Sequence, residues 1–491
     1  VYYRVAVLFV AFATAGLFVA QATRSAARAP VIESAHAHEQ PYGMIQPNGM
    51  YSVATSCSAA SCHGSGIVKQ AGGEYTTWME GDPHAKAFGV LYNEVSERMI
   101  KNLGRKEPAY RDASCLKCHG VDEDKQLDGE KLDDRNHSEA VSCDACHGPS
   151  KNWIAIHYQP SWKAMSDKDK FERYGFVPSK DLSARSLNCA ACHVGARDRE
   201  VNHDLIAAGH PRLSFEYTRY HFSDKYLKHW VEKVPNPDFE VRSWFVGQVA
   251  SLRAAVDLLA VRAERASRQN SPWPEFSESS CYSCHQGLNP DFPRSAGADR
   301  IRPIGVPGWQ VWYLSLAKLV PQASQMLFQG DAISSLTALE NLRIAMETTN
   351  PDPAKIAKLA EKATAELDAI LARFQRGGFS ENLSVETFTR LGGMIAESAL
   401  NANRTALKDY DWDFAAQHTL ALTAIYHGTG GSSGPPAIAA WKPALLKLRT
   451  AIAFDSKSKD RYDSPKDYDP KKTYEAIRAM YDLTHNAKGD R

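Results

Sequence analysis

Little in this sequence would draw it to nucleic acid. Its 58 lysines and arginines are balanced by 57 aspartates and glutamates, for a formal charge of +1, and no basic run carries interleaved aromatics. Residues 301–491 contain no cysteine, so no thiol chemistry belongs to that part of the chain. No strict 34-residue period is present, which argues against a tetratricopeptide array. After the N-terminal segment, no second run reads as a membrane span. What is there is a chain of 491 residues, 43% hydrophobic and 23% charged. Those are ordinary values for a soluble protein with two or three domains whose cores need no staple.

The distribution of two uncommon residues is uneven. All ten cysteines and twelve of the seventeen histidines fall between residues 51 and 300. Ahead of that window, VYYRVAVLFVAFATAGLFVAQA places Arg4 before a 16-residue apolar stretch, Val5 to Ala20, and ends on small residues at Ala20 and Ala22. This reads as a secretory signal over 1–22, with an uncleaved anchor as the alternative. Either way the remainder is expected in the periplasm, with 23–50 as a linker.

An exported chain with ten cysteines could be disulfide-rich. Four of the five cysteine pairs argue otherwise: Cys115 and Cys118 with His119, Cys143 and Cys146 with His147, Cys189 and Cys192 with His193, Cys281 and Cys284 with His285. Each spells C-x-x-C-H, the attachment motif of c-type haem. Two thiols bond one edge of the porphyrin and the adjacent histidine reaches the iron. A lone copy could be a redox dithiol or half a zinc site. Zinc, however, needs one cluster of four ligands and has no use for a histidine after every second cysteine.

CSAASCHGS, residues 57–65, is the same motif stretched by two residues. Cys62, His63 and Gly64 keep the C-H-G ending of the sites at 118–120 and 146–148, and the short Ser and Ala side chains can loop out between the anchors. It reads as a fifth haem site. The alternative is a Cys57–Cys62 disulfide, which leaves His63 without a purpose. Five covalently bound haem c groups are therefore expected, with His63, His119, His147, His193 and His285 as proximal ligands.

Low-spin electron-transfer haems take a sixth ligand. The window offers His84, His137, His157, His203 and His210, and more weakly His221 and His229; Met79 and Met99 are the methionine alternatives. Pro83 favours a helix starting beside His84. His203 and His210 are seven apart, on one face if the stretch between them is helical.

Taken together, GDPHAKAF, VSCDACHGPSKNWIAIHYQPSW, and CAACHVG followed by VNHDLIAAGHPRLSFEYTRYH and KHW resemble the multihaem cytochrome c-554 family over about residues 51–235. The resemblance implies haems stacked in close pairs, mostly with two histidine ligands. It also implies periplasmic electron transfer, in some members from an oxidising enzyme of nitrogen metabolism. It supports His84, His137, His157 and the His203–His210 stretch as distal positions. The family pattern has four haems; the site at 281–285 adds one, and the long C-terminal part has no place in it.

The expected fold is mostly α: a multihaem cytochrome c domain with little regular structure around the haems, then an all-helical C-terminal bundle. The expected divisions are 51–235 for the cytochrome domain, 236–300 for a long helix (241–265) and the fifth site, and 301–491 for a helical docking region. Within the last, helices are expected in WQVWYLSLAKLV, DAISSLTALENLRIAMETT, PDPAKIAKLAEKATAELDAILARF, NLSVETFTRLGGMIAESALNAN, DWDFAAQHTLALTAIYH and WKPALLKLRTAIAFD, and GTGGSSGPPA (428–437) reads as a flexible connection. The expected function is electron transfer between periplasmic redox proteins, with a membrane complex as a further partner, no nucleic acid, and the oligomeric state open. The alternative is an oxidoreductase acting on a small nitrogen or sulfur compound at a five-coordinate haem, with His221 or His229 as acid/base groups.

Overall fold

The computed structural model describes residues 40–42, 51–120 (less 53 and 69), 140–222, 238–284 (less 270), 303, 306–328, 333, 335–376, 380, 383–401, 412–453 and 468–486. The expected signal segment, His137, His229 and His285 lie outside the described residues. Among those described, helix is the only extended regular element; isolated β-bridges join Ala196 with Arg199 and Ser279 with Trp309.

The cysteine-bearing half is built from short pieces. Attachment motifs form the helices Ala113–His119, Cys143–His147 and Cys281–Cys284, and another ends the helix α1, Leu182–His193. Helical winding is what the motif asks for, since residues i, i+3 and i+4 share one face and bring both thiols and the histidine together. Two of these helices are started by aspartates. Asp112 accepts from Ser114 N at 2.9 Å and Asp181 from Ala184 N at 2.7 Å.

The rest is organised around α2, Phe239–Gln269, whose 31 residues extend the expected 241–265 at both ends. Its length and hydropathy would allow a membrane span, but 83% of its most apolar window is buried inside the protein. It packs against α1 on one side and against α3 (Pro353–Gln375) and α4 (Trp412–Gly428) on others. Arg253 on α2 crosses to Asp368 on α3 at 2.8 Å, both buried, and Gln248 bonds Gln417 on α4 at 3.1 Å.

Helices Thr337–Met346, Val385–Asn401 and Lys442–Ile452 fall where the periodicity places them. Pro353 occupies the first turn of α3 behind Asp352, which accepts from Ala354 N at 3.0 Å. Ser384 accepts from Thr387 N at 3.1 Å at the start of its helix. Three details differ from expectation. WQVWYLSLAKLV is not one helix but Val311–Leu314, a 3-10 turn and then Val320–Leu327. GTGGSSGPPA is a packed corner in which Gly430 and Gly431 take positive φ and the Tyr426 hydroxyl meets Ser432 Oγ at 2.8 Å. An additional helix, Pro470–Asn486, packs on Val385–Asn401 and Lys442–Ile452.

One hydrophobic cluster runs from Leu187 in α1 through α2 to Met480, spanning residues on both sides of 235 and 300. A smaller cluster, Phe88, Leu91, Ile100, Ala109, Leu116 and Ala140, supports the Cys115 site.

Candidate haem-binding site

All ten cysteines are free thiols in this structure. Cys57 and Cys62 are not bridged. The loop between them closes as a turn, with Cys62 N bonded to Ala59 O at 2.9 Å and Gly64 N to the same carbonyl at 3.1 Å. Thiols of different motifs meet instead. The Cys143 thiol bonds that of Cys57, which together with burial raises its pKa. The Cys118 thiol bonds that of Cys192 and is raised in the same way. Burial pushes Cys115 and Cys189 each up to about 11. These contacts bring the 57 site beside the 143 site and the 115 site beside the 189 site. Asn188 joins the two groups by donating from Nδ2 to the carbonyls of Ala145 (3.2 Å) and Cys146 (3.1 Å).

The histidines are brought together in pairs. The ring centres of His63 and His157 are 6.3 Å apart, those of His119 and His210 6.3 Å, and those of His84 and His193 6.0 Å. Two imidazoles bound on opposite sides of one metal ion, with metal–nitrogen bonds of about 2.0 Å and roughly 1.2 Å from nitrogen to ring centre, stand about 6.4 Å apart. All three pairs fit that spacing. Each joins a histidine that follows an attachment cysteine to one remote in sequence. Among the described residues no group of three or more His, Cys, Asp or Glu side chains converges as a bare-ion site requires.

Hydrogen bonds fix the tautomers. Nδ1 of His119 lies 3.1 Å from Ala87 O, that of His157 2.7 Å from Ile154 O, and that of His210 2.7 Å from Pro211 O. A carbonyl only accepts, so each Nδ1 carries the proton and, in the neutral ring, Nε2 keeps its lone pair for a metal. Glu74 plays the same part for His63 at 3.1 Å and Asp82 for His84 at 2.8 Å. Burial pushes His193 down to about 4, helped by the nearby His84 and His119, so it stays neutral. Burial also lowers His210. Burial works against charge on His84, but the hydrogen bond and charge of Asp82 outweigh it and its pKa is raised.

The ring of His147 lies beside that of Phe176, at 6.2 Å and 20° between planes, and Phe176 packs on Trp153 and Trp162 at 5.1 and 5.3 Å. Ser179 Oγ is 3.5 Å from its Nδ1. His203 and His210 do not share a helix, because His203–Ala208 stops at Gly209 (φ +122). His221 is buried on Tyr217, 5.1 Å between rings, with Phe222 and Phe239 beside it. Met79 is half exposed.

Several contributing residues escaped the sequence reading. Asp82 caps the 3-10 helix Pro83–Lys86 by accepting from His84 N at 2.9 Å, and holds the same residue's ring. The D-P-H run was a legible sign of this, an N-cap before a first-turn proline. Asp144, inside the third motif, accepts from Ser52 N at 2.6 Å and Ser150 Oγ at 3.0 Å. The strap 210–215 is held from the C-terminal region. Arg212 forms a two-pronged buried pair with Asp413 (2.8 and 2.6 Å), Trp312 Nε1 donates to Phe215 O at 2.8 Å, and the Tyr313 hydroxyl donates to Leu213 O at 3.0 Å. Phe215 in turn packs on His193 at 5.0 Å. Nothing local in sequence announces these long-range partners.

Searches of the curated proteins and of the solved structures find no match to this chain. Residues 56–148, from just before Cys57 to just after His147, match the family model Cytochrome c554 and c-prime, so this stretch is similar to a c-type cytochrome segment.

Proposed function

We propose that this chain is a pentahaem c-type cytochrome that carries electrons between redox proteins in the periplasm, and that His63 with His157, His119 with His210, and His193 with His84 would hold three of its haem irons. The observation that carries the reading is the threefold recurrence of a 6.0–6.3 Å imidazole spacing, each time across a large sequence gap. Haem iron held in this way supplies one-electron redox chemistry, tuned by its ligands and burial. The chain's own residues do the rest. Glu74, Asp82 and the carbonyls of Ala87, Ile154 and Pro211 orient the rings. The meeting of thiols from different motifs sets neighbouring sites edge to edge. The five attachment sequences support the count, and the apolar segment within 1–22 supports export.

The test is a pyridine haemochrome count with low-temperature EPR of the oxidised protein. Five haems per chain are expected from the five motifs. His157→Ala, His210→Ala and His84→Ala should each turn one low-spin haem high-spin while the count holds. Unchanged spin states in all three variants would overturn the ligand assignment.

A further inference from the structure

Of the described histidines between residues 51 and 222, His203 alone is neither paired with a second imidazole nor hydrogen-bonded through its ring. It is half-buried and opens the helix His203–Ala208, whose start is capped by Asn202 accepting from Leu205 N at 3.0 Å. Its ring lies 6.2 Å from that of Phe276, which is itself largely exposed.

The backbone around His203 is tied firmly to the segment that leads into Cys281. Glu275 Oε1 accepts from His203 N at 2.8 Å and from Ser277 N at 2.9 Å, so one carboxylate oxygen holds both strands of chain. Arg262 on α2 makes a second tie. Its guanidinium reaches Glu200 Oε2 and Glu278 Oε1, each at 2.8 Å, and Val201 O at 3.5 Å. Glu278 is buried and also accepts from Trp309 Nε1 at 2.8 Å, while Ser280 N bonds Gly308 O at 3.0 Å. Buried ionic networks of this kind are costly to break and fix relative position closely. Three residues beyond Glu278 the helix Cys281–Cys284 begins, with Cys281 half-buried and Cys284 exposed. Cys281 also lies within electrostatic reach of Arg212, two residues past His210.

We infer that His203 is the distal ligand of the haem attached at Cys281 and Cys284, and that this haem adjoins the His119–His210 site. The inference rests on the multihaem reading above and deepens it, since the family match stops at residue 148 and covers none of His203, Cys281 and Cys284. The meeting points order the sites as 57, 143, 189, 115 and 281: Cys57 with Cys143, Cys146 with Asn188, Cys192 with Cys118, and the 203–212 stretch with Cys281. The 281 site therefore lengthens the path at the end opposite Cys57.

The experiment uses the full holoprotein and four variants. His203→Ala should leave the haem count unchanged and convert one haem per chain from low to high spin by EPR. Cys281→Ala/Cys284→Ala should lower the count by one. Adding His203→Ala to that double variant should produce no new high-spin signal. His203→Met should restore a low-spin haem with a raised reduction potential, which a merely structural role would not do. An unchanged spectrum in His203→Ala overturns the inference, and so does a high-spin signal that persists without Cys281 and Cys284. A count unaffected by the double variant removes the 281 site while leaving the three paired sites, and the electron-transfer reading, standing on their own variants.

Discussion

The site is assembled from single atoms whose roles follow from what their partners can accept. Carbonyl oxygens accept hydrogen bonds from the Nδ1–H of His119, His157 and His210, which leaves Nε2 as the atom that could ligate. His418 makes the same kind of bond but lies in a part of the chain that has no attachment cysteine. It is fully buried in α4, its Nδ1 bonded to Phe414 O at 2.8 Å and its ring 4.1 Å from that of Phe414. Burial pushes it down from 6.5 to about 4. A histidine depressed in the folded state contributes stability that is intact above pH 6.5 and drains as pH falls toward 4, because the unfolded chain takes up the proton first. At about 1.4 kcal/mol for each pH unit, the loss reaches about 3 kcal/mol at pH 4. Denaturant midpoints measured across that window should fall more steeply for the natural protein than for His418→Gln; parallel profiles would contradict the assignment.

At the scale of elements, the C-terminal helices do more than stand ready to dock. Asp413 at the start of α4, with Trp312 and Tyr313, clamps the strap that carries His210 and Phe215. Removing Asp413 strands the Arg212 guanidinium in a buried setting, and breaking such a pair costs about 3–5 kcal/mol. Asp413→Ala should therefore lower the unfolding midpoint and broaden the low-spin signal of one haem, with the haem count unchanged. A variant as stable as the parent would show that water reaches Arg212 and that the clamp is unnecessary. The helices themselves were largely legible. Periodicity located α2, α3, α4 and the helix Val385–Asn401; Pro353 sits in the first turn of α3 and Ser384 caps Val385–Asn401. Periodicity failed at WQVWYLSLAKLV, where the short helix Val311–Leu314, whose Trp312 and Tyr313 donate to the strap's carbonyls, gives way to a 3-10 turn before Val320–Leu327.

At the scale of the whole molecule, the arrangement is a succession of small sites leaning on one large apolar core. The stretched motif is the place to test the total. Cys57 makes its thiol contact with Cys143 and not with Cys62, and the two extra residues are taken up in a turn. Replacing both Cys57 and Cys62 with Ala should cost one haem per chain in a haemochrome count, with four retained from the regular motifs. An unchanged count would mean the stretched site never carried haem. By itself the sequence determined the chemistry. Cysteine and histidine at helical spacing define attachment, because i, i+3 and i+4 share a face whatever surrounds them. It also supplied the pool of distal histidines. Only the tertiary structure decided which histidine faces which, since pairs such as His84 with His193 and His119 with His210 are made by chain segments that meet through packing. Ligation across a metal is a matter of spacing in three dimensions, and no local pattern encodes the fold that sets it.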